Sequence, residues 1–390
     1  MSKRIAIVGA GVAGLAFATL AAKQGNQVDI FERRSQVGSD LGAGVTLWPN
    51  AIFVLTQMGL LKAIQKASGE PMTMTRYDLT TGVQGDLSLR GLNQSAGFNT
   101  LTILRRDLMA ILFAGADQAG VQIHFGEAIN LDKLSELENQ YDWVIGADGR
   151  MNSTLRRKIS PVSQPVYQGF VNVIGISHSS PTRPFNNQSI QDYWGDGERF
   201  GIVPIDASTC FWAAGWAEVE KQPNRMFTLS ELGERFREWP SEVLAVLQQA
   251  EQSSLHTVYV HDLDPMTSWY RGKCMVIGDA AHAALPTSGQ GACQALEDAW
   301  WLAKLMQEEA TTDRLFARFQ QQRLEKTVAI QMTGRHIAQA IFHTPANQRP
   351  AQGSVTEASL DAMAAFWMTG LVNLEPVTKS KMSQDQQGGD

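Results

Sequence analysis

Residues 4–33 read "RIAIVGAGVAGLAFATLAAKQGNQVDIFER", and this stretch decides the fold. Ile5 to Val8 form a short apolar run stopped by glycine, the pattern of a strand buried on both faces. A helical segment follows, with Gly25 placed to end it, and "QVDIFER" reads as a second strand. Together they spell a βαβ unit. Gly9, Gly11 and Gly14 stand at the strand-to-helix turn in the spacing G-x-G-x-x-G. The first glycine permits the tight turn, the second lets a pyrophosphate approach the backbone, and the third lets helix pack closely on strand. The helix start offers unpaired N–H groups and its positive dipole end to phosphate. Glu32 ends the second strand, 18 residues beyond Gly14, where an acid accepts hydrogen bonds from a ribose. The unit is read as a dinucleotide site, and the motif alone leaves FAD and NAD both open.

The 390 residues are enough for two domains, and 44% hydrophobic with 18% charged residues is the balance of a globular protein. A net charge of −6 weighs against nucleic acid or an anionic membrane as partner. Cys210, Cys274 and Cys293 are odd in number and far apart, which fits a reduced cytoplasmic protein better than a disulfide framework. The apolar N-terminus is broken by the three glycines and runs straight into another strand, so it is not read as a signal peptide. No segment offers the roughly 18 apolar residues of a membrane span, and no cluster has metal-ligand spacing.

The layout is discontinuous. Residues 1–70, 101–160 and 272–330 carry buried-strand and helix patterns and are assigned to one nucleotide domain. Residues 71–100 and 161–271 alternate, turn at glycines and hold many aromatic residues, the pattern of a mostly antiparallel β domain. One helix is expected near 228–250. Residues 331–377 form a C-terminal helical segment, and 378–390 a polar, disordered tail. The expected fold class is α/β, a Rossmann-like domain with an inserted β domain and C-terminal helices.

A second glycine-rich helix start, "GDAAHAALPTSGQGACQALEDA" (278–299), chooses between the cofactors. A flavin needs its ribitol gripped and the N1–C2=O edge placed in positive potential. Asp279 at a strand end suits ribitol hydroxyls. The helix opening at Gly289–Gly291 can aim N–H groups and its dipole at the flavin edge. His282 in the same stretch is read as structural.

With "GAGVAG", Glu32, "RRDL" at 105–108, "GADG" at 146–149 and the GD stretch in that order, the chain resembles the group A FAD-dependent aromatic monooxygenases of the para-hydroxybenzoate and salicylate hydroxylase type, urate hydroxylases among them. The resemblance covers nearly the whole chain. It implies FAD on the glycine turn (Gly9, Gly11, Ala13, Gly14), with Glu32 on the ribose, Arg105 on the FAD chain and Asp279 on ribitol. Gly289, Gln290 and Gly291 would face the isoalloxazine. Arg33, Gly44, Val45, Asp148, Pro286 and Ala292 complete the FAD-binding set. "GAGVTLWPNA" (42–51) resembles the family segment that runs beside the flavin, with Gly42 and Gly44 there for close approach, while Pro49-Asn50 start the next helix. The family pattern DGxxSxxR is off by one here, since Ser153 and Arg156 fall one residue late.

The single G-x-G-x-x-G and the absence of a second βαβ unit imply that NADH or NADPH visits transiently as electron donor. The implied reaction is hydroxylation of a small aromatic or heteroaromatic substrate with O₂ through a flavin C4a-hydroperoxide. An epoxidase, an isoprenoid reductase or a non-catalytic escort protein of the same fold are the alternatives. Arg199 in "GDGERFGIVPI" is the candidate catalytic residue, against the plain reading of a solvated strand-end charge. Tyr193, Trp212 and Pro286 are candidates for the substrate pocket. The chain would act as a monomer or homodimer.

Overall fold

The computed structural model describes residues 2–36, 44–180, 182, 184–219, 225–309, 311–349 and 355–372; Gly42 and the polar tail lie outside them. In chain order the first half runs β1 (Arg4–Val8), α1 (Val12–Lys23), β2 (Gln27–Glu32), β3 (Gly44–Leu47), α2 (Pro49–Gln57), α3 (Leu61–Lys66), β4 (Ser68–Gly69), β5 (Thr73–Asp78), β6 (Gln84–Ser88), α4 (Leu89–Ala96), β7 (Leu101–Leu104), α5 (Arg105–Gln118), β8 (Gln122–Phe125), α6 (Leu131–Gln140), β9 (Trp143–Gly146) and α7 (Thr154–Ile159). The second half runs β10 (Pro165–His178), β11 (Ser189–Trp194), β12 (Glu198–Pro204), β13 (Thr209–Ala217), α8 (Leu229–Arg235), α9 (Ser241–Gln248), β14 (His256–Leu263), β15 (Tyr270–Arg271), β16 (Cys274–Val276), α10 (Asp279–His282), α11 (Gly291–Glu308), α12 (Thr312–Ala338) and α13 (Glu357–Met368).

A six-stranded sheet in the order β15-β16-β9-β1-β2-β8 carries the nucleotide half, parallel except at its β15 edge. Its central strands have no polar face. Ile5, Ile7, Val144, Ile145 and Met275 are fully buried because helices cover both sides. Helix α1 packs between this sheet and α11, and nearly all its residues are buried, so it lacks an amphipathic stripe.

A seven-stranded sheet, β14-β10-β13-β12-β11-β5-β6, forms the inserted β domain. It is antiparallel apart from one pair, β5 with β11, which run parallel. The expected helix over 228–250 is two helices, α8 and α9, because Pro240 cannot continue the first and stands at the start of the second. Residues 89–96, read with the strands, form α4, capped by Ser88 at its start and by left-handed Gly97 at its end. A small sheet, β3-β7-β4, sits between the halves.

Side-chain alternation sorts the large sheet into two faces. Cys210, Trp212, Ala214 and Trp216 of β13 join Tyr193 and Phe200 in a core covered by α8 and α9. The opposite face turns to the nucleotide half, where Ile190 packs with that half's core and Trp194 packs with Leu285, Ile341 and Phe342.

Candidate active site

The glycine turn is shaped by contacts that admit no side chain at two positions. A Cβ on Gly9, whose φ is +106°, would lie 2.4 Å from the Ala147 carbonyl oxygen, and one on Gly14 only 2.0 Å from the Gly9 oxygen. Gly11 differs, with nothing nearer than the Ala147 oxygen at 4.0 Å, so its backbone is open to a ligand. Glu32 closes the other side. Its carboxylate accepts from the Ala10 N–H at 2.8 Å and the Arg34 N–H at 3.0 Å, which fixes it beside the turn. Arg33 follows on the exposed surface.

Cations gather where a pyrophosphate chain would continue. Arg105, half-buried, opens α5, and Arg150 lies 3.6 Å from Asp279. Burial pushes the Arg105 guanidinium down, as do Arg34 and Arg150, against the pull of Asp279. Arg105 and Arg150 beside the one carboxylate of Asp279, with Arg34 also acting on Arg105, leave net positive charge for an anion. Arg34 and Arg150 escaped the sequence reading.

The residues of the shifted DG pattern hold this loop. Ser153 caps α7 by accepting from the Arg156 N–H at 3.0 Å. The Asp148 carboxylate, pushed up by burial, accepts from the Thr154 N–H at 2.7 Å. Arg156 is buried and donates to the carbonyls of Gly149, Arg150 and Ala280, tying the loop after β9 to α10. The pattern is late by one residue, yet its arginine joins the two loops.

Beyond α10 the chain makes a short 3-10 turn at Pro286–Ser288 and enters α11. Pro286 and Gly289 are exposed, Gly291 and Ala292 half-exposed, and a Cβ on Gly291 would meet only Asp279 Oδ1 at 4.0 Å. This open backbone at a long helix start, with Asp279 beside it, fits a flat flavin whose reduced edge is negative. The chain's own residues thus offer an open glycine turn, an acid fixed beside it, cations and an open helix start, a set that fits FAD. Among the described residues no group of three or more His, Cys, Asp or Glu could hold a metal ion.

Beneath the α11 entrance lies a buried polar network that sequence reasoning missed. Asn50 Nδ2 donates to Gln290 Oε1 at 2.9 Å and to Glu297 Oε1 at 2.6 Å. Arg323 of α12 donates to Glu297 at 2.7 Å and to Asp298 at 2.8 Å, and Asp298 Oδ2 also receives His282 Nε2 at 2.6 Å and the Gly278 N–H at 2.7 Å. The available signal was an acidic pair inside the otherwise apolar run from Ala295 to Ala303 of α11. Burial alone would push the Asp298 carboxyl up, but His282 and Arg323 outweigh it and hold it at about 2. Its unfolded value is higher, near 3.9. The stabilisation is therefore complete above about pH 4 and lost as pH falls through 2, on the order of 2 kcal/mol. Asp298→Asn should flatten that part of a stability–pH curve measured by urea unfolding.

The substrate side of the β domain corrects two assignments. Trp212 and Tyr193 belong to the core under α8 and α9, where Trp212 donates to Ser177 Oγ at 2.9 Å and Tyr193 stacks on Tyr77. Both point away from the nucleotide half, because alternation gives that side to their neighbours. The face turned toward the nucleotide half carries Arg76, Asp192, Trp194, Arg199 and Phe211. Asp192 stands opposite Arg76 in register and Trp194 opposite Arg199. Arg199 Nε donates to Asp192 Oδ1 at 2.6 Å, Trp194 Nε1 donates to Oδ2 at 2.8 Å, and Arg76 Nε lies 3.8 Å from Oδ2. The Arg76 guanidinium also lies over the Trp194 ring, 4.2 Å from its centroid. Burial pushes Arg76 down, and Arg199 adds to this against Asp192. At Gly44 the close approach is that of Phe211, whose Cδ1 would be 2.1 Å from a Cβ there. Val45, next to it, is half-buried in β3.

The model of the FAD binding domain family matches residues 3–333. The chain is 28% identical over 310 residues to the FAD-dependent urate hydroxylase of Mycolicibacterium vanbaalenii, covering 76% of this chain and 78% of that protein. It is 27% identical over 332 residues to the aurachin C monooxygenase/isomerase of Stigmatella aurantiaca, covering 83% and 85%. The crystal structure of Klebsiella pneumoniae HpxO complexed with FAD and uric acid shares the fold, with a TM-score of 0.81 at 20% identity over 94% of this chain and 97% of that one. The site residues and the matches agree: this chain belongs to the FAD binding domain family and is a flavin-dependent monooxygenase.

Proposed function

We propose that the enzyme hydroxylates a small, negatively charged heteroaromatic ring, with NADH or NADPH as electron donor and O₂ as the oxygen source. One observation carries the substrate class: two half-buried guanidiniums, Arg76 and Arg199, share the single buried carboxylate of Asp192 on the sheet face turned to the cofactor half. The surplus positive charge in a partly desolvated place favours an anion. It also favours the deprotonated form of a ring N–H or phenol, so binding itself makes the ring more nucleophilic. Phe211, half-buried on the same face, adds aromatic surface for a planar ring. The urate hydroxylase relative supports the reading.

In this reading Gly9, Gly11, Gly14, Glu32 and Arg105 hold the adenosine and pyrophosphate of FAD, and Asp279 with Gly289–Ala292 hold its flavin end. When bound, FAD supplies the redox chemistry between nicotinamide and oxygen. Arg199, fixed by Asp192, orients the ring, and the sheet face and the α10–α11 loop exclude water.

The test is NADH and NADPH oxidation by the purified protein with anionic and neutral heteroaromatic compounds, products being weighed for one added oxygen. Anionic rings should stimulate oxidation and gain oxygen. Arg199→Met should lower kcat/KM for them by about 100-fold, the effect of one charge-assisted contact, with FAD still bound. Preference for neutral rings, unchanged in Arg199→Met, would sink the assignment.

A further inference from the structure

We propose that Trp48 is a positioning residue for the Gly289–Gly291 loop, and that the C-terminal helix α13 acts on that loop through it. The inference rests on the reading that this loop faces the flavin. Trp48 precedes Pro49, the first residue of α2, and is 7% exposed. Its indole Nε1 donates to the Gly289 carbonyl oxygen at 2.9 Å. Gly289 has φ +64°, and a Cβ there would sit 3.1 Å from that same indole nitrogen, so the peptide and the ring are fitted to each other. One hydrogen bond thereby fixes the orientation of the peptide that leads into α11. The next N–H groups, those of Gly291 and Ala292, open the helix and are the ones offered to a ligand.

The other face of Trp48 meets Trp367 of α13, ring centroids 4.6 Å apart. Trp367 is anchored in turn, its carbonyl oxygen accepting from Lys326 Nζ at 2.5 Å. Lys326 bonds Glu297 at 2.9 Å, Glu297 bonds Asn50 at 2.6 Å, and Asn50 bonds Gln290 at 2.9 Å. The contacts close a ring that runs from Trp48 through Gly289, Gln290, Asn50, Glu297, Lys326 and Trp367 back to Trp48. Four helices, α2, α11, α12 and α13, meet in it. Helix α13 lies beyond the residues matched by the family model, so a segment outside the matched domain reaches the flavin-facing loop, its Trp367 ring through the Trp48 indole and its Trp367 carbonyl through Lys326, Glu297 and Asn50.

The test uses the holoenzyme and reads FAD affinity from the flavin fluorescence recovered on dilution, together with the visible absorption band. Trp48→Phe keeps the ring against Trp367 and removes the N–H. FAD affinity should fall about five- to tenfold, the range of one lost hydrogen bond in a site that must be ordered, and the flavin band should change shape. Trp367→Ala should weaken FAD severalfold in the native background and change nothing further in Trp48→Phe, whereas Trp367→Phe should bind FAD as the native protein does. Native FAD affinity and spectrum in Trp48→Phe would overturn the proposal, as would equal losses from Trp367→Ala in both backgrounds. A native protein that holds no FAD would instead overturn the reading on which the proposal rests.

Discussion

Arg323→Ala is expected to cost the fold about 3–5 kcal/mol, because it leaves Glu297 and Asp298 buried without their shared cation. Both acids are fully buried, and Arg323 is 1% exposed. Lys326 also reaches Glu297, but Asp298 would keep only His282 and the Gly278 N–H. The melting temperature should fall by roughly 5 °C, read by circular dichroism on the apoprotein. The effect should exceed that of surface pairs such as Arg237 with Glu234, which are worth less than about 1 kcal/mol. A variant that melts with the native protein would mean that the network adds nothing to stability.

The second large effect separates two glycines three residues apart. Gly14→Ala should fail to fold properly, since its Cβ would lie 2.0 Å from the Gly9 oxygen and neither backbone segment can withdraw. Gly11→Asp should fold, because its Cβ direction is open, yet lose FAD by more than about 100-fold through steric block and charge repulsion at the pyrophosphate. Solubility and melting temperature report the first, and flavin content after gel filtration reports the second. A Gly11→Asp protein that stays yellow would remove the turn from the cofactor site.

The glycine turn was legible because its pattern is local: Gly9, Gly14 and Glu32 belong to one βαβ unit of about thirty residues, even though the carbonyl that crowds Gly9 comes from distant Ala147. The GD stretch was legible for the same reason. The substrate face was not. Arg76 and Asp192 meet only because β5 pairs with β11 in parallel across a long stretch of chain, and nothing near Arg76 announces its partner. Asp192-x-Trp194 was a usable hint, a carboxylate and an indole N–H on one side of the same strand. Alternation showed that only half the aromatics share a face, but its phase is decided by where α8 and α9 dock. Tyr193 and Trp212 were therefore assigned to the pocket, while Phe211 and Trp194 hold the opposite face. The long helix expected over 228–250 failed at Pro240, a breaker that stood in plain sight.

The most direct measurement is a reaction under ¹⁸O₂, with reduced nicotinamide and an anionic ring that stimulates its oxidation, followed by mass spectrometry of the product. One ¹⁸O atom in the ring and one in water is the predicted result, with the nicotinamide consumed in equal amount. A product that is reduced rather than oxygenated, or that takes its oxygen from water, would contradict a flavin-dependent monooxygenase.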